Sequence, residues 1–360
     1  MHILQIINSL LIGGAEKLVV EASKKIIEKG HQVDILLFKT TNSLLEQEVL
    51  TRTDITVHFL SENTNIYNPS HILKIRKHLL QNKYDVVHVH LFPAVYWTAL
   101  AVRKSFNGKL IHTEHNTKNR RMGNWFYRQI DNIIYRKYDC HIAISDAVRK
   151  SLDVHLMTKK SKVVNIYNGV NLETIASAKA IDREQLGLND DQKILIQVSS
   201  FRKQKNQAIL IKALERLNAN VHLLLVGKGE LMSYCESLAK ELYVENRVHF
   251  LGVRTDVPQL LKTADIVILS SHYEGLSLAS VEGLASGKPF IASNVPGLTE
   301  VVEGAGLLFP KNNSVRLAEM IDELFTDKIY YNKIVKDCMA RSKKYDLNIM
   351  VNHYIELYSG

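Results

Sequence analysis

Residues 266–292 read IVILSSHYEGLSLASVEGLASGKPFIA, and this stretch decides the fold class of the chain. The run Ile266–Leu269 is continuously apolar, which is typical of a strand buried on both faces. A helical pattern follows through Glu282–Ala285, and a second apolar run begins at Pro289. A buried strand, a helix and another buried strand predict a parallel sheet covered by helices.

The same alternation extends over the whole chain, with short apolar runs separated by stretches of helix length. The predicted strands are His2–Ile7, Gln32–Phe38, Val57–Leu60, Val86–His90, Leu110–Thr113, His141–Ser145 and Val163–Ile166 in the first half, and Lys193–Val198, Val221–Val226, Val248–Leu251, Ile266–Leu269, Pro289–Ala292 and Gly306–Phe309 in the second. Most are continuously apolar, so the predicted fold class is α/β with doubly wound parallel sheets.

A polar stretch at residues 168–191, with Asn-Gly and Asn-Asp-Asp turn signals, interrupts the pattern and indicates a domain boundary. We therefore expect two Rossmann-like domains, at residues 1–170 and 171–345. The last helical stretch, about Ile329–Tyr358, is long enough for residues 346–360 to pack back on the first domain. Two such domains are expected to face each other across a cleft at the carboxyl ends of their strands, where these folds bind ligands.

Composition limits the class of protein. The chain has 360 residues, 46% of them hydrophobic and 23% charged, which is typical of a folded protein with more than one core. No apolar run reaches about 18 residues, and the start lacks the basic flank and cleavage site of a signal peptide, so we expect a cytoplasmic protein. Cys140, Cys235 and Cys338 are far apart, which favours buried thiols over disulfides or a metal site.

The net charge of +9 lies in the first half of the chain. Residues 1–170 hold 24 Lys and Arg against 14 Asp and Glu, whereas the remainder holds 22 against 23. Such asymmetry indicates an anionic partner, which is membrane lipid, nucleic acid or a substrate that bears phosphate. The charge alone leaves these three open.

Two segments combine glycine with a predicted helix start. Gly13-Gly14-Ala15-Glu16-Lys17 follows the first strand, and its glycines let an anion approach backbone N–H groups. It matches neither G-x-G-x-x-G nor the Walker pattern, and a tight strand-to-helix turn is the alternative.

In Glu274-Gly275-Leu276-Ser277, three backbone N–H groups suit a diphosphate, while Glu274 and Glu282 suit sugar hydroxyls. The alternative to sugar binding is that a glutamate lies near the helix start only because the helix dipole favours a negative charge there.

Residues 274–289 resemble the E-x7-E block of glycosyltransferase family 4, and the similarity continues through 290–293 and 297–300. Further similarity to that family lies in Gly13-Gly14-Ala15-Glu16-Lys17, Ser145-Asp146-Ala147-Val148, Asn168-Gly169-Val170 and Val226-Gly227-Lys228-Gly229, so it spans nearly the whole chain. The resemblance implies a GT-B fold, a UDP- or GDP-linked sugar donor, retention of anomeric configuration, and no metal or other cofactor. It makes residues 1–170 the acceptor-side domain and 171–345 the donor domain.

The resemblance also implies roles for single residues. Its donor-binding positions are Gly13, Gly14, Gly252, Gly275, Leu276, Ser277 and Glu282. Glu274 would hold hydroxyls of the donor sugar, and Glu282 would hold those of the ribose. Gly14 would approach the diphosphate or the sugar from the other domain. The peptide around Gly252 lies where the family holds the base.

The implied catalytic residues are His115, Arg202, Lys205 and Glu274. A departing nucleoside diphosphate needs positive charge, and Lys205 matches the lysine of the family pattern V-G-R-L-x-x-x-K. Ser200 stands at the arginine of that pattern, so we expect Arg202 to substitute; a solvated basic loop is the alternative.

His115 resembles the family's histidine beside the donor sugar, where we expect it to position the sugar and to stabilise charge. A structural histidine is the alternative, and it is the preferred interpretation for His88 and His90. Glu114 is not expected to be a nucleophile, because the family's chemistry resembles same-face substitution in which the leaving phosphate helps to deprotonate the acceptor. This differs from hydrolysis by two carboxylates.

Residues 118–138 mix six Lys and Arg with large aromatic and aliphatic side chains. This mixture suits a helix on an anionic bilayer, which would place the protein at the inner face of the cell membrane beside lipid-linked acceptors. The alternative is a helix whose aromatic residues are core and whose charges are solvated. Nucleic-acid binding is disfavoured because no known nucleic-acid module accompanies the charge.

We therefore expect a retaining glycosyltransferase that moves a sugar from a nucleotide-diphosphate sugar to a glycan or a polyprenyl-linked acceptor, in bacterial-type surface polysaccharide synthesis. Two alternatives share this architecture: a non-transferring subunit that binds a partner, and a nucleotide-sugar epimerase. A dinucleotide oxidoreductase is disfavoured because the chain has no G-x-G-x-x-G loop.

Overall fold

A computed structural model describes residues 1–11, 13–62, 65–103, 106–117, 124–156 and 162–360. The chain divides into two compact units. The first comprises Met1–Gly169 together with Leu347–Gly360, and the second comprises Val170–Asp346. The boundaries expected from the sequence differ from these by one residue.

The first unit contains, within its described residues, a parallel sheet of seven strands in the order β3-β2-β1-β4-β5-β6-β7. The strands are β1 (His2–Ile7), β2 (Gln32–Leu37), β3 (Ile55–Phe59), β4 (Val86–His90), β5 (Lys109–Glu114), β6 (Cys140–Ala143) and β7 (Lys162–Asn165). Its helices are α1 (Gly14–Glu28), α2 (Leu44–Leu50), α3 (Ser70–Gln81), α4 (Ala94–Ala101), α5 (Trp125–Tyr135) and α6 (Asp146–His155). The strand order reverses between β1 and β4.

The second unit contains a parallel sheet of six strands in the order β10-β9-β8-β11-β12-β13. The strands are β8 (Lys193–Val198), β9 (Val221–Val226), β10 (Val248–Gly252), β11 (Ile266–Leu269), β12 (Phe290–Asn294) and β13 (Leu307–Pro310). The helices are α7 (Leu172–Ser177), α8 (Ala208–Leu214), α9 (Met232–Glu241), α10 (Val257–Thr263), α11 (Leu278–Ala285), α12 (Thr299–Val302), α13 (Ser314–Thr326) and α14 (Lys328–Ser342). Here the strand order reverses between β8 and β11.

The two doubly wound parallel sheets predicted from the sequence are confirmed. Every predicted strand is present, with ends that differ by at most two residues. Strand interiors are fully buried, as in Ile3, Leu4 and Ile268, because helices cover both faces of each sheet. The cysteines Cys140, Cys235 and Cys338 are buried, as expected. No helix among the described residues is long and apolar enough to cross a membrane.

The predicted continuous helix over about Ile329–Tyr358 is wrong. Helix α14 ends at Ser342, and a separate helix α15 (Leu347–Ser359) belongs to the first unit. The backbone between them is used for pairing, because the N–H of Val170 donates to the Tyr345 carbonyl at 2.9 Å and Val170 forms a parallel bridge with Asp346. This pairing needs extended backbone at Asp346, which is incompatible with a helix.

Candidate functional site

Two loops of the second unit bring a lysine and a glutamate together where the strand order reverses. Lys205 ends a 3-10 turn after β8, and Glu274 lies in the loop between β11 and α11. Their Nζ and Oε1 atoms are 2.5 Å apart, and their side chains are 17% and 7% exposed. Because β8 and β11 are parallel neighbours, their carboxyl ends meet at the position where doubly wound sheets bind ligands.

Hydrogen bonds that the sequence analysis missed hold these two loops in place. Gln204 Nε2 donates to the Tyr273 carbonyl at 2.8 Å, and Gln197 Nε2 donates to the Lys205 carbonyl at 3.1 Å. Ser270 Oγ lies 2.8 Å from Gln197 Oε1, which joins the ends of β8 and β11. One signal in the sequence could have found Gln197 and Ser270, since both are polar residues at the ends of apolar strands. The structure shows that both are buried.

Gly297 shapes the backbone of Glu274. It adopts a φ of +85°, which side chains rarely accept, and a Cβ at this position would clash with the carbonyls of Glu274 and Gly275. The N–H of Glu274 donates to the neighbouring Pro296 carbonyl at 3.3 Å. Gly297 therefore allows the close approach that fixes the loop bearing the carboxylate.

Helix α11 begins directly after the predicted diphosphate loop. Its N-cap residue is Ser277, whose hydroxyl makes no capping hydrogen bond, whereas Ser43 and Ser145 cap α2 and α6 with theirs. The start of α11 therefore keeps a positive dipole end that no N-cap hydroxyl offsets, which suits phosphate oxygens. Gly275 and Leu276 precede it, as predicted, and Leu276 is buried.

Glu282 lies on α11 itself and is only 7% exposed. The next residue, Gly283, lets α11 pack closely on β12, because a Cβ there would lie 2.5 Å from a ring carbon of Phe290. Close packing of α11 against the sheet fixes the position of the Glu282 side chain relative to the helix start.

The remaining predicted residues of the second unit are more exposed. Arg202 is exposed at the start of the 3-10 turn, and its carbonyl accepts from the N–H of Lys205 at 2.8 Å. Gly252 ends β10 with a φ of +65°, and its carbonyl accepts from the N–H of Gly227 at 2.7 Å. Arg202 and Lys205 thus share one turn, but only Lys205 is paired with Glu274. Among the described residues, no group of three or more His, Cys, Asp or Glu side chains is arranged to hold a metal.

In the first unit, Gly13 and Gly14 begin α1 after β1. Gly13 has extended backbone and Gly14 is the first helical residue, so neither needs the left-handed conformation of a tight glycine turn. A Cβ on Gly14 would meet no atom within 4 Å, whereas a Cβ on Gly13 would clash with the carboxylate of Glu16. The space beside Gly14 is therefore open, and Glu16 folds back toward the helix start.

His115 directly follows β5, at the carboxyl end of the first sheet. Its Nε2 lies 3.1 Å from Nδ1 of His90, the last residue of β4. Burial lowers the pKa of His115 to about 4, so its imidazole is neutral at pH 7. His88 and His90 are fully buried and hydrogen-bonded, as the structural interpretation predicts.

Helix α5 carries the described part of the predicted membrane segment; residues 118–123 lie outside the described residues. Its first turn exposes apolar rings, because Trp125 and Phe126 are 73% and 61% exposed, while Asp131 is buried together with Ile134 and Tyr135. The buried Asp131 carboxylate lies 2.7 Å from His155 Nε2. The predicted alternative, that the aromatic residues are core, is wrong for Trp125 and Phe126 and correct for Tyr135 and Tyr138. Beside them lies a pocket of about 500 Å³, lined by Asn124, Trp125, Arg128, Lys150, Ser151, Val154 and His155.

Comparison with known proteins agrees with this architecture. The model of Glycosyltransferase Family 4 matches residues 12–174, and that of Glycosyl transferases group 1 matches residues 178–340. The chain is 26% identical over 338 residues to N-acetyl-alpha-D-glucosaminyl L-malate synthase of Bacillus anthracis, covering 88% of this chain and 86% of that protein. It is 26% identical over 282 residues to UDP-Gal:alpha-D-GlcNAc-diphosphoundecaprenol alpha-1,3-galactosyltransferase of Escherichia coli, covering 74% and 73%.

Among solved structures, HepE of Anabaena in complex with UDP and glucose matches with a TM-score of 0.86 at 23% identity, over 99% of both chains. Two doubly wound parallel-sheet units of this kind make up the GT-B fold. The chain belongs to the group 1 glycosyltransferases, with a family 4 N-terminal half. The family and fold class predicted from the sequence are therefore confirmed.

Proposed function

We propose that this protein transfers a sugar from a UDP-linked donor to a lipid-linked glycan acceptor, with retention of anomeric configuration, in surface polysaccharide synthesis. The observation that carries the proposal is the Lys205–Glu274 pair beside the start of α11. A cation and a helix start suit the diphosphate, and a carboxylate suits the sugar hydroxyls. UDP is preferred over GDP because the related Escherichia coli enzyme is named for UDP-Gal and HepE has been solved with UDP-glucose.

When the donor binds, Lys205 exchanges part of its contact with Glu274 for a phosphate oxygen, and Glu274 accepts hydrogen bonds from the sugar. The backbone around Gly275, Leu276 and Ser277 holds the diphosphate, and Arg202 adds a second cation. Glu282 holds the ribose hydroxyls, and the peptide at Gly252 holds the base. Gly13, Gly14 and His115 are further donor contacts.

In the reaction, the bond between C1 of the sugar and the β-phosphate oxygen breaks while the acceptor oxygen bonds to C1 on the same face. The acceptor proton passes to an oxygen of the departing UDP. Lys205, Arg202 and the start of α11 stabilise the charge that develops on that phosphate. This route uses neither a second carboxylate as nucleophile nor a metal ion.

We further propose that the exposed face of α5 rests on an anionic bilayer, which places the protein peripherally at the cytoplasmic side of the membrane. The support is the exposure of Trp125 and Phe126 together with the exposed cations Arg136, Lys137 and Lys150. Aromatic side chains enter the interface while cations meet anionic headgroups. A polyprenyl diphosphate acceptor is available at such a surface.

The test is incubation of the purified protein with UDP-glucose, UDP-galactose, UDP-N-acetylglucosamine or GDP-mannose, with and without bacterial lipid extract. UDP release and a lipid-linked product with the donor's anomeric configuration are expected. Conversion of the donor into its epimer without acceptor would instead identify an epimerase, and no turnover or binding of any donor would identify a non-transferring subunit. Glu274→Gln should abolish turnover, whereas the exposed Glu303→Gln in the same unit should not.

A further inference from the structure

A line of buried hydrogen bonds leads from the interior of the first sheet to His115. Gln5 is on β1, and its side-chain oxygen lies 2.8 Å from Nε2 of His90 on the neighbouring strand β4. The other ring nitrogen of His90, Nδ1, lies 3.1 Å from Nε2 of His115. Gln5 and His90 are 1% and 2% exposed, so water does not compete for these contacts.

The direction of each bond follows from the chemistry of the groups. An amide oxygen only accepts, so Nε2 of His90 carries the hydrogen and donates it to Gln5. A neutral imidazole has one donor and one acceptor nitrogen, so Nδ1 of His90 accepts from Nε2 of His115. Nδ1 of His115 is then the nitrogen with the lone pair. No hydrogen bond to that atom is present among the described residues.

The surroundings of the Gln5 amide agree with this orientation. Burial raises the pKa of the Tyr358 hydroxyl on helix α15, and the nearby Gln5 amide offsets part of that rise. The Tyr358 hydroxyl lies 2.6 Å from Nδ1 of His88, and Nε2 of His88 lies 2.7 Å from the hydroxyl of Thr113. An amide nitrogen that faces Tyr358 leaves the Gln5 oxygen toward His90, which is the orientation that the 2.8 Å contact with Nε2 requires.

We propose that Gln5 and His90 are positioning residues that hold His115 with its hydrogen on Nε2, so that Nδ1 accepts a hydrogen bond from a hydroxyl of the donor sugar. The contact with the sugar rests on the proposed function, whereas the protonated nitrogen is a property of the chain itself. A histidine that accepts at Nδ1 selects a sugar with a hydroxyl donor at that point.

The electrostatics of the three histidines agree with this geometry. Burial lowers the pKa of His88 to about 3 and that of His115 to about 4, and it lowers the pKa of His90 well below its ordinary value. All three rings are therefore neutral at pH 7. Each ring then has one donor nitrogen and one acceptor nitrogen, which is what the hydrogen bonds described above require.

Long-range ¹H–¹⁵N correlation spectra of the ¹⁵N-histidine-labelled protein at pH 8 test the proposal, because they report which ring nitrogen carries hydrogen. His90 and His115 are expected in the Nε2–H form. His141 is an internal reference, because its Nε2 lies 3.0 Å from the Tyr135 backbone carbonyl, which only accepts. Hydrogen on Nδ1 of His115 in the unmodified protein would overturn the proposal.

Two substitutions at one position separate positioning from packing. Gln5→Glu keeps a side chain that only accepts, and His115 should stay in the Nε2–H form. Gln5→Leu removes the acceptor, and His90 and His115 should become mixtures of both forms while the His141 signal stays unchanged. An unchanged His115 signal in Gln5→Leu would also contradict the proposal.

Activity supplies the second measurement. Gln5→Leu should lower kcat for UDP release about 10- to 100-fold, as loss of an orienting partner does elsewhere. The affinity for UDP itself should not change, and Gln5→Glu should restore most of kcat. Loss of UDP affinity in Gln5→Leu would indicate a structural role and would overturn the proposal. Absence of any donor turnover in the unmodified protein would refute the proposed function and leave the spectra as the test of the tautomer.

Discussion

The ammonium group of Lys205 lies 2.5 Å from the carboxylate of Glu274, although 68 residues separate them in the chain. The contact exists because β8 and β11 are neighbours in the second sheet and each carries one of the two residues on the loop at its carboxyl end. Both side chains are largely buried, so each charge depends on the other in the absence of a ligand.

Lys205→Met should destabilise the second unit, because it leaves the buried Glu274 carboxylate without its cation. A loss of about 2 to 4 kcal/mol in the free energy of unfolding is expected. Adding Glu274→Gln to Lys205→Met should recover most of that loss, and urea unfolding of the four proteins in a double-mutant cycle measures it. Additive effects of the two substitutions would show that the pair is not coupled.

Glu282→Gln should weaken binding of UDP about 10-fold, because a carboxylate that accepts ribose hydroxyls is replaced by a weaker acceptor. The same substitution should change binding of 2′-deoxy-UDP much less, since that ligand lacks one of the hydroxyls. Titration calorimetry with both ligands measures the difference, with Glu303→Gln as the control. An equal loss for both ligands would contradict ribose recognition through the 2′-hydroxyl.

Gly14→Ala should leave the first unit as stable as before or stabilise it by up to about 1 kcal/mol, because alanine favours helix and its Cβ meets open space. It should nevertheless lower kcat/KM for the donor at least about 10-fold, because the methyl group would occupy space that the ligand needs. Thermal unfolding and initial rates measure the two effects. Unchanged kcat/KM would show that Gly14 does not contact the donor.

Phe126→Glu should weaken binding to vesicles that contain anionic phospholipid by about 10-fold or more, because it removes an interfacial ring and adds repulsion. Vesicle co-sedimentation measures the effect. Tyr234→Glu, which replaces an aromatic residue 53% exposed on the second unit, is the matched control. Vesicles of neutral lipid should bind the unmodified protein weakly, and high salt should weaken binding to anionic vesicles. Equal binding of Phe126→Glu and the unmodified protein would exclude α5 as the contact.

The free energy of unfolding of the first unit should fall as the pH falls from about 6.5 to about 4. Burial lowers the pKa of His141 to about 4 and that of His88 to about 3, so the unfolded chain takes up protons in this window that the folded chain does not. Each such histidine adds a slope of about 1.4 kcal/mol per pH unit. Urea unfolding followed by tryptophan fluorescence reports this unit, because Trp97 and Trp125 both belong to it. Constant stability between pH 6.5 and pH 4.5 would be inconsistent with these pKa directions.

Local apolar runs predicted the strands well, since a strand that is buried on both faces of a parallel sheet consists of consecutive apolar residues, as in Ile266–Leu269. The family block likewise indicated Glu274 and Glu282. The contact between Glu274 and Lys205 could not be derived from spacing, because it depends on which strands are neighbours. Gln204 and Gln197 were missed for the same reason, since their partners lie on other loops.

Helix patterns were less informative where tertiary contacts override them. The stretch ending at Tyr358 looked continuous, yet backbone pairing at Val170 and Asp346 divides it. The exposure of Trp125 and Phe126 was also undecided, because the helical period does not show which of the apolar residues of α5 face solvent and which pack inside with Asp131.

The membership of α15 in the first unit has a consequence for synthesis on the ribosome. Residues 170–346 emerge before Leu347–Gly360, so the second unit has all of its own chain available while the first unit still lacks a helix. Until Tyr358 arrives, Nδ1 of His88 lacks its hydroxyl partner, and the Gln5 amide lacks the hydroxyl that lies beside it. The half of the protein that is translated first is therefore the half that is completed last, and a nascent chain stalled before residue 347 should hold a folded second unit and an unfinished histidine network in the first.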